Sequence, residues 1–238
     1  MQKMDVIICT KDESHIRPQL MATLKTPNGM VSQIIVETSK PLSVARVIAA
    51  QKAKTSIIMY CDDDVEIPAT LPEKYVSYMQ DGVIAVSSQA YDANKHWLAY
   101  RRALYALYPN HHSIKGNFDN RAFIIRRDFM LDYFPPWCFH CEDTALAKAV
   151  RQKGKWVHLP FMGVWHYPHY RSWVPWGYMA QALRLNERPP AFGFAGRLLV
   201  SYISFFYTLD PRTLMFGLKF AVQWFSGYLM AKIDGDKK

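Results

Sequence analysis

Three adjacent carboxylates, Asp62, Asp63 and Asp64, directly follow the apolar run SIIMYC at residues 56–61. Like charges this close repel one another, and each carboxylate resists burial without a compensating partner. If the chain stays extended here, the side chains of Asp62 and Asp64 leave on one face and that of Asp63 on the other. Two carboxylates on one face suit a hard divalent cation such as Mg²⁺ or Mn²⁺. The alternative interpretation is a solvated acidic turn that caps the next helix.

Short apolar runs alternate with helical segments around these aspartates. The helical stretch at residues 41–54 has Ser39 as its expected N-cap and Pro41 in its first turn. Two further helices are predicted at residues 16–24 and 72–80. Strands are predicted at residues 5–10, 33–37, 56–61 and 83–87. Near-continuously apolar strands that alternate with helices predict βαβ units and a parallel sheet.

Three of these predicted strands end in polar residues. The aspartate triplet follows the third strand, Glu37 ends the second, and the segment TKDE at residues 10–13 follows the first. In parallel sheets of α/β proteins, ligands bind beyond the carboxyl ends of the strands. The topology therefore predicts one binding site at the edge where these ends meet.

Composition and charge restrict the class of protein. The sequence is 50% hydrophobic and 21% charged, which predicts a folded core rather than disorder. The net charge of +9 suits an anionic partner, such as a phosphorylated molecule or an anionic membrane face. No nucleic-acid-binding motif is recognisable, so nucleic acid is not an expected partner. The first residues, MQKMDVIICTKDES, reach acidic side chains too soon for a secretory signal, and we expect a cytosolic chain with reduced thiols.

The composition changes after about residue 170. Residues 191–209 are apolar except for Arg197, and residues 214–231 are interrupted by Lys219 and Gln223. Each stretch approaches the roughly 20 residues of a membrane span, but each contains charge and is rich in the aromatic residues of membrane interfaces. We expect two helices that lie on a bilayer surface. A helical pair packed on the core and a pair that spans the membrane are the alternatives.

The acidic strand end resembles the D-x-D strand end of family-2 glycosyltransferases of the GT-A fold. Other segments resemble the same family in the same order, and the resemblance covers roughly Met4 to His169. These segments are IIVETSKPLSVARVIAAQKAKTSIIMYCDDDVEIP, FIIRRDFMLDYF, HCEDTALAKAVRQKGKWVHLP and GVWHY. The resemblance implies an α/β catalytic domain at residues 1–170, with a GT-A-type, Rossmann-like mixed sheet flanked by helices. Residues 171–238 would form a membrane-associating pair of amphipathic or apolar helices.

The resemblance also implies roles for individual residues. Asp64 and Asp62, with His166, would hold an Mn²⁺ or Mg²⁺ ion on the diphosphate of a nucleotide sugar. Asp143 would be the general base that deprotonates the acceptor hydroxyl, although Glu142 and Asp143 also suit a helix N-terminus. The residues expected to contact the nucleotide are Thr10, Lys11, Glu37, Arg46, Asp62 and Asp63.

These roles predict an inverting, metal-dependent glycosyltransferase of the hexosyltransferase type. A divalent ion neutralises a leaving diphosphate, and direct displacement assisted by one base inverts the anomeric centre. The donor would be a nucleotide-diphosphate sugar and the acceptor a hydroxyl, expected on a lipid-linked glycan. The enzyme would lie peripherally on the cytoplasmic face of the cell membrane.

Three alternatives remain open at this point. A polyprenyl phosphate acceptor is already ionised and needs no base. A nucleotidyltransferase also uses carboxylates at a sheet edge, but its usual glycine-rich basic loop is replaced by TKDESHIRP. A non-catalytic, membrane-associated binding module would carry the acidic triplet as a structural turn and would bind ligands without a divalent ion.

Overall fold

The computed structural model describes residues 2–26, 29–107, 121–133, 142–167, 173–174, 177–178 and 190–235. The chain divides into two compact units. The first comprises Met1–Tyr91 and Gly116–Tyr167, and the second comprises Asp92–Lys115 and Pro168–Lys238.

A six-stranded mixed sheet forms the centre of the first unit. Its strands are β1 (Met4–Cys9), β2 (Val31–Glu37), β3 (Ile57–Asp62), β5 (Val83–Ser88), β7 (Ala122–Arg126) and β8 (Lys155–Leu159), in the spatial order β2-β1-β3-β7-β5-β8. Strand β1 runs parallel to both β2 and β3, and β5 runs parallel to β8. Strand β7 is antiparallel to both of its neighbours, β3 and β5. The mixed sheet that the family resemblance implied is therefore confirmed.

Five α-helices and one 3₁₀ helix belong to the described part of the first unit. They are the 3₁₀ helix Glu13–His15, α1 (Pro18–Leu24), α2 (Leu42–Lys52), α3 (Leu71–Val76), α5 (Arg127–Asp132) and α6 (Glu142–Lys153). The expected cap of α2 is wrong: Pro41 is the N-cap, and Ser39 instead donates from its N–H and its hydroxyl to the Glu37 carboxylate. Both hydrogen-bond donors of Ser39 are therefore used by Glu37, two residues earlier in the chain.

The helices cover both faces of the sheet, which explains why the strands are almost continuously apolar. On one face, alternate residues of β1 and β3 pack against α1 and α3, in a cluster that includes Met4, Val6, Ile8, Met59, Leu20, Leu24, Leu71 and Tyr75. The other face packs against α2, α5 and α6, in a cluster that includes Ile7, Ile58, Tyr60, Ala49, Ala50, Met130, Leu146 and Val150. The hydrophobic core of the first unit therefore lies on both faces of the sheet.

A second, smaller sheet follows the central one at the end of β3. It contains β4 (Val65–Glu66), β9 (Trp165–His166) and β6 (Tyr91–Asp92), in the order β4-β9-β6. Strands β4 and β9 are antiparallel, with Val65 opposite His166 and Glu66 opposite Trp165. This pairing brings His166 next to the aspartate triplet, although about 100 residues separate them in the sequence.

The described part of the second unit consists mainly of three helices: α4 (Lys95–Leu107), α7 (Pro190–Phe206) and α8 (Pro211–Gly235). Helix α4 packs against both α7 and α8. Helices α4 and α8 meet in an aromatic cluster of Trp97, Tyr100, Phe216 and Phe220, to which Trp173 also belongs. Among the described helices of the whole chain, none combines the length and the apolar character required to cross a membrane.

Candidate active site

The carboxyl ends of β1, β2 and β3 lie level at one edge of the sheet. Cys9, the last residue of β1, is opposite Glu37 on one side and Asp62 on the other. The Thr10 N–H continues this alignment by donating to the Glu37 carbonyl oxygen at 3.0 Å. The structure thus brings together the three polar strand ends that the sequence placed at one site.

The chain turns within the aspartate triplet. Strand β3 ends at Asp62, and Asp63 and Asp64 form the turn that leads into β4. The extended path that would place Asp62 and Asp64 on one strand face is therefore not present. The turn nevertheless leaves the two carboxylates close enough for the charge of Asp64 to affect the ionisation of Asp62.

Asp64 and His166 are two candidate metal ligands whose side chains lie next to each other. The Asp64 side chain is 4% exposed, and its Oδ2 lies 3.4 Å from Nε2 of His166. No three His, Cys, Asp or Glu side chains converge as a complete metal site within the described residues. An Mg²⁺ or Mn²⁺ ion usually keeps several waters and takes substrate phosphates as ligands, so it needs few protein ligands. A buried carboxylate beside an imidazole, with a second carboxylate close by, is a donor set that fits such an ion.

Asp62 lies among charges of both signs. Burial raises the pKa of Asp62 above its ordinary value, and the Arg46 guanidinium, whose Nη2 is 3.8 Å from Asp62 Oδ1, opposes this shift. The Asp64 carboxylate raises the Asp62 pKa further, whereas His166 and Arg121 lower it. The positive groups of the protein therefore offset only part of the repulsion and burial cost of the adjacent carboxylates. This environment favours a bound cation.

Arg46 enters the site from α2 and is almost fully buried. The Tyr60 hydroxyl donates to the Arg46 carbonyl oxygen at 2.6 Å, and the guanidinium carbon lies 5.7 Å from the centre of the Phe123 ring. Arg46 also lines a small indentation together with Ser43, Met130, Tyr133 and Leu146, and this indentation has no room for a water molecule. The indentation lies between helices α2, α5 and α6.

Asp143 is in the first turn of α6, about one turn before Leu146, which lines the same small indentation as Arg46. The backbone position is thus compatible with the predicted base, but the Asp143 side chain lies outside the described part of the structure. Its role as the base stays a prediction.

Thr10 and Asp63 connect the ends of β1 and β3. The Thr10 hydroxyl donates to Asp63 Oδ2 at 2.5 Å, in a buried contact. Both residues were expected to contact the nucleotide, and this bond gives them a further role in shaping the edge of the sheet. Lys11, which follows Thr10, is exposed.

The Glu37 carboxylate is held by internal partners. It accepts bonds from Ser39 and, at 2.6 Å, from Lys52 Nζ. Burial opposes the ionisation of Glu37, but the hydrogen bonds from Lys52 and Ser39 outweigh it and lower the Glu37 pKa to about 2. Contact of Glu37 with a nucleotide remains a prediction, whereas its part in fixing the loop after β2 is visible.

Sequence reasoning missed four residues that border the site: Arg17, Glu66, Arg121 and Tyr167. They come from four separate segments, and no spacing in the sequence connects them.

Comparison with known proteins identifies the family of the chain. The family model of glycosyl transferase family 2 matches residues 5–139, which is more than half of the chain. The chain belongs to glycosyltransferase family 2. It is thus a glycosyltransferase, and the matched region includes the ends of β1, β2 and β3 and the aspartate triplet. No curated protein matches the transferase at a significant level.

Solved structures resemble the transferase in fold. A mannosyltransferase from Pyrobaculum calidifontis, in complex with GDP-Man and Mn²⁺, aligns over 98% of this chain and 87% of its own, with 13% identity and a TM-score of 0.64. The glucosyl-3-phosphoglycerate synthase from Mycobacterium tuberculosis, in complex with Mn²⁺, UDP and phosphoglyceric acid, covers 77% of this chain and 76% of its own. That alignment has 14% identity and a TM-score of 0.56. At this level of identity, the likeness shows that the transferase shares their fold.

Proposed function

We propose that this glycosyltransferase moves a sugar from a nucleotide-diphosphate sugar to an acceptor hydroxyl, with a divalent cation and with inversion at the anomeric carbon. The observation that carries the proposal is the Asp64–His166 pair, 3.4 Å apart, beside the joined ends of β1, β2 and β3. Both solved structures named above contain Mn²⁺ with a nucleotide or a nucleotide sugar, which supports the same ligand class here.

Different residues of the chain are proposed to bind the metal ion, to supply positive charge and to accept a proton. Asp64 and His166, with Asp62 beside them, would hold the Mn²⁺ or Mg²⁺ ion, which when bound supplies positive charge that neutralises the departing diphosphate. Arg46 adds a fixed positive charge next to Asp62. Asp143 accepts the proton of the acceptor hydroxyl, and a single displacement on the face opposite to the diphosphate gives inversion.

The role of Asp143 is tested by transfer assays of the Asp143→Asn variant. We expect transfer to fall by about 10²–10⁴-fold while donor binding is unchanged, because a missing base affects the chemical step. The matched control is Glu142→Gln, which removes the same charge from the same helix start. Equal losses in the two variants would reduce Asp143 to a helix-start residue. Full transfer by Asp143→Asn would favour an acceptor that is already ionised, such as a polyprenyl phosphate.

The acceptor proposal rests on the surface of the second unit. Helices α7 and α8 form a hairpin. Its buried side mixes small and hydroxyl residues with large apolar ones, namely Ser201, Ser204, Thr213, Gly217, Val200, Phe220, Trp224 and Tyr228. Its exposed side carries many apolar side chains, namely Leu199, Tyr202, Phe206, Leu209, Met215, Val222, Met230 and Ile233, together with the charged Arg212, Lys219 and Lys232. A large exposed apolar surface on a folded protein marks a site that binds a membrane or another protein, and aromatic side chains are enriched at membrane interfaces. Such a surface supports peripheral binding to the cytoplasmic face of the cell membrane, and with it a lipid-linked glycan as acceptor.

Sedimentation with vesicles that contain anionic lipids tests the membrane proposal. The double variant Tyr202→Ser/Phe206→Ser removes two exposed aromatic side chains from α7, and we expect at least about a tenfold loss of vesicle binding. Tyr78→Ser, which changes an exposed tyrosine of the first unit, is the matched control. Unchanged vesicle binding of the double variant, or no binding of the wild type, would contradict the proposal.

A further inference from the structure

We propose that Arg17, Glu66 and Tyr167 are positioning residues that bracket the turn carrying Asp64 and hold His166 beside it. We call these three side chains the bracket. The inference rests on the proposed role of Asp64 and His166 as metal ligands, and it assigns a function to residues outside the ligand set itself.

Arg17 holds the turn on both sides of Asp64. Its backbone N–H donates to the carbonyl oxygen of Asp63 at 3.0 Å. Its guanidinium donates to Oε1 of Glu66, through Nε at 3.0 Å and also through Nη2. A single residue next to the start of α1 therefore binds the residue before Asp64 and the second residue after it.

Tyr167 holds the same turn from the β9 side. Its backbone N–H donates to the carbonyl oxygen of Asp64 at 2.8 Å, and its hydroxyl donates to Oε2 of Glu66 at 3.0 Å. The Arg17 guanidinium carbon lies 3.7 Å from the centre of the Tyr167 ring, which is cation–π stacking distance. Both carboxylate oxygens of Glu66 are thus engaged, one by Arg17 and one by Tyr167, and the three side chains form a closed set.

Asp64 and His166 lie in a turn and a very short strand, which hold their side chains less firmly than a long helix or strand would. Asp64 is in a turn, and the pairing between β4 and β9 that follows consists of two residue pairs. His166 lies in β9, the middle strand of the small sheet, and Tyr167 follows it directly in the chain. Ligand side chains work when their relative position is held within about 0.5 Å, and outer residues commonly provide this restraint.

The exposure of the ion pair argues against stability as its main effect. Arg17 and Glu66 are each 27% exposed, and ion pairs that solvent reaches usually stabilise a fold only slightly. Removing an outer partner of a metal ligand, in contrast, typically lowers metal affinity by about 10–100-fold. The bracket is thus expected to affect metal affinity far more than folding.

The test measures Mn²⁺ affinity of the full chain by electron paramagnetic resonance, with Mn²⁺ alone and with UDP or GDP added. Tyr167→Phe removes one hydroxyl, and we expect about a tenfold weaker Mn²⁺ affinity; Arg17→Met is expected to lose about 10–100-fold. Arg17→Lys keeps the charge without the planar fork and should recover part of the loss. In the metal-free protein, the backbone amide hydrogen of residue 167 should exchange with solvent faster in Tyr167→Phe than in the wild type.

Two controls match these changes elsewhere in the first unit. Tyr75→Phe removes a hydroxyl that bonds Ser88 and the Ala122 carbonyl oxygen. Arg126→Met removes a guanidinium that bonds the Val83 carbonyl oxygen; Arg126 pairs with Ile57, at the opposite end of β3 from Asp62. We expect wild-type Mn²⁺ affinity in both control variants.

The outcomes separate this inference from the proposed function. If Asp64→Ala binds Mn²⁺ as tightly as the wild type, the proposed metal role fails. If Asp64→Ala loses Mn²⁺ while Tyr167→Phe and Arg17→Met keep wild-type affinity, the metal role stands and the bracket is overturned. Equal losses in the control variants would also overturn it, because the effect would then be general.

Discussion

Removing the charge of Lys52 should make the stability of the first unit less dependent on Glu37 ionisation. Lys52 Nζ lies 2.6 Å from Glu37 Oε2, and the Glu37 side chain is 5% exposed. In Lys52→Met the carboxylate keeps its bonds from Ser39 but loses its cation. We therefore expect the pKa of Glu37 to rise from about 2 toward its ordinary value of 4.5.

The structure sets the size of the effect. A shift from 4.5 to about 2, at about 1.36 kcal/mol per pKa unit, corresponds to roughly 3 kcal/mol of stability at neutral pH. Lys52 is 56% exposed, so solvent screens its contribution, and we assign it about 1–2 kcal/mol of this total. Because the folded-state pKa is lowered, the stabilisation is fully present above pH 4.5 and is lost as the pH falls from 4.5 through about 2.

Urea unfolding of wild type and Lys52→Met across the range from neutral pH to the acid limit of the folded state measures this contribution. The variant should be less stable by about 1–2 kcal/mol at neutral pH, and the difference should shrink once the pH falls below the ordinary Glu37 pKa. Lys74→Met, at an exposed position of α3, is the matched control. Equal stability at neutral pH, or a difference that grows in acid, would refute the reasoning.

Two further changes test contacts at the site and in the hairpin. Thr10→Val leaves the buried Asp63 carboxylate without its 2.5 Å bond, and urea unfolding should show a loss of about 1–3 kcal/mol, with Thr10→Ser close to the wild type. Wild-type stability of Thr10→Val would show that the bond contributes nothing. Gly217→Ala would place a methyl carbon 2.6 Å from the Ser201 hydroxyl oxygen, and the resulting overpacking should cost about 1–3 kcal/mol, seen as a lower melting temperature. An unchanged melting temperature would mean that α7 and α8 separate there without cost.

The sequence was sufficient to place the ends of β1, β2 and β3 because local information determines them. The apolar runs before Thr10 and Asp62 identify the strands, and parallel strands linked by helices present their carboxyl ends at one edge. The edge of the site was therefore predictable from elements and their order.

Features that depend on long-range pairing were not predictable in the same way. Strand β7 lies between β3 and β5 and is antiparallel to both. Its pairing with β3 joins Ile57 to Arg126, which is far away in the sequence. The turn at Asp63 and Asp64 leads into β4, which pairs with β9. Strands of two residues are too short to show an alternating pattern in the sequence. Sequence spacing describes neighbours on one element, whereas these contacts join separate segments.

Side-chain competition explains the remaining differences. Ser39 has the residue type and position of an N-cap, but Glu37 provides a nearer ionised acceptor. The hydrogen bonds of Glu66 with Arg17 and Tyr167 also depend on the fold, because these three residues come from separate segments of the chain. Residue types predict which groups form hydrogen bonds, and the fold determines their partners.

The most direct test of the account is calorimetric binding of UDP-, GDP- and dTDP-sugars to the wild type and to Asp64→Ala, each with Mn²⁺ and with EDTA. We expect one nucleotide class to bind the wild type in the presence of Mn²⁺, and we expect EDTA or loss of the Asp64 carboxylate to abolish that binding. Binding that survives both EDTA and Asp64→Ala, or no binding of any sugar nucleotide by the folded protein, would contradict a metal-dependent donor site at the end of β3.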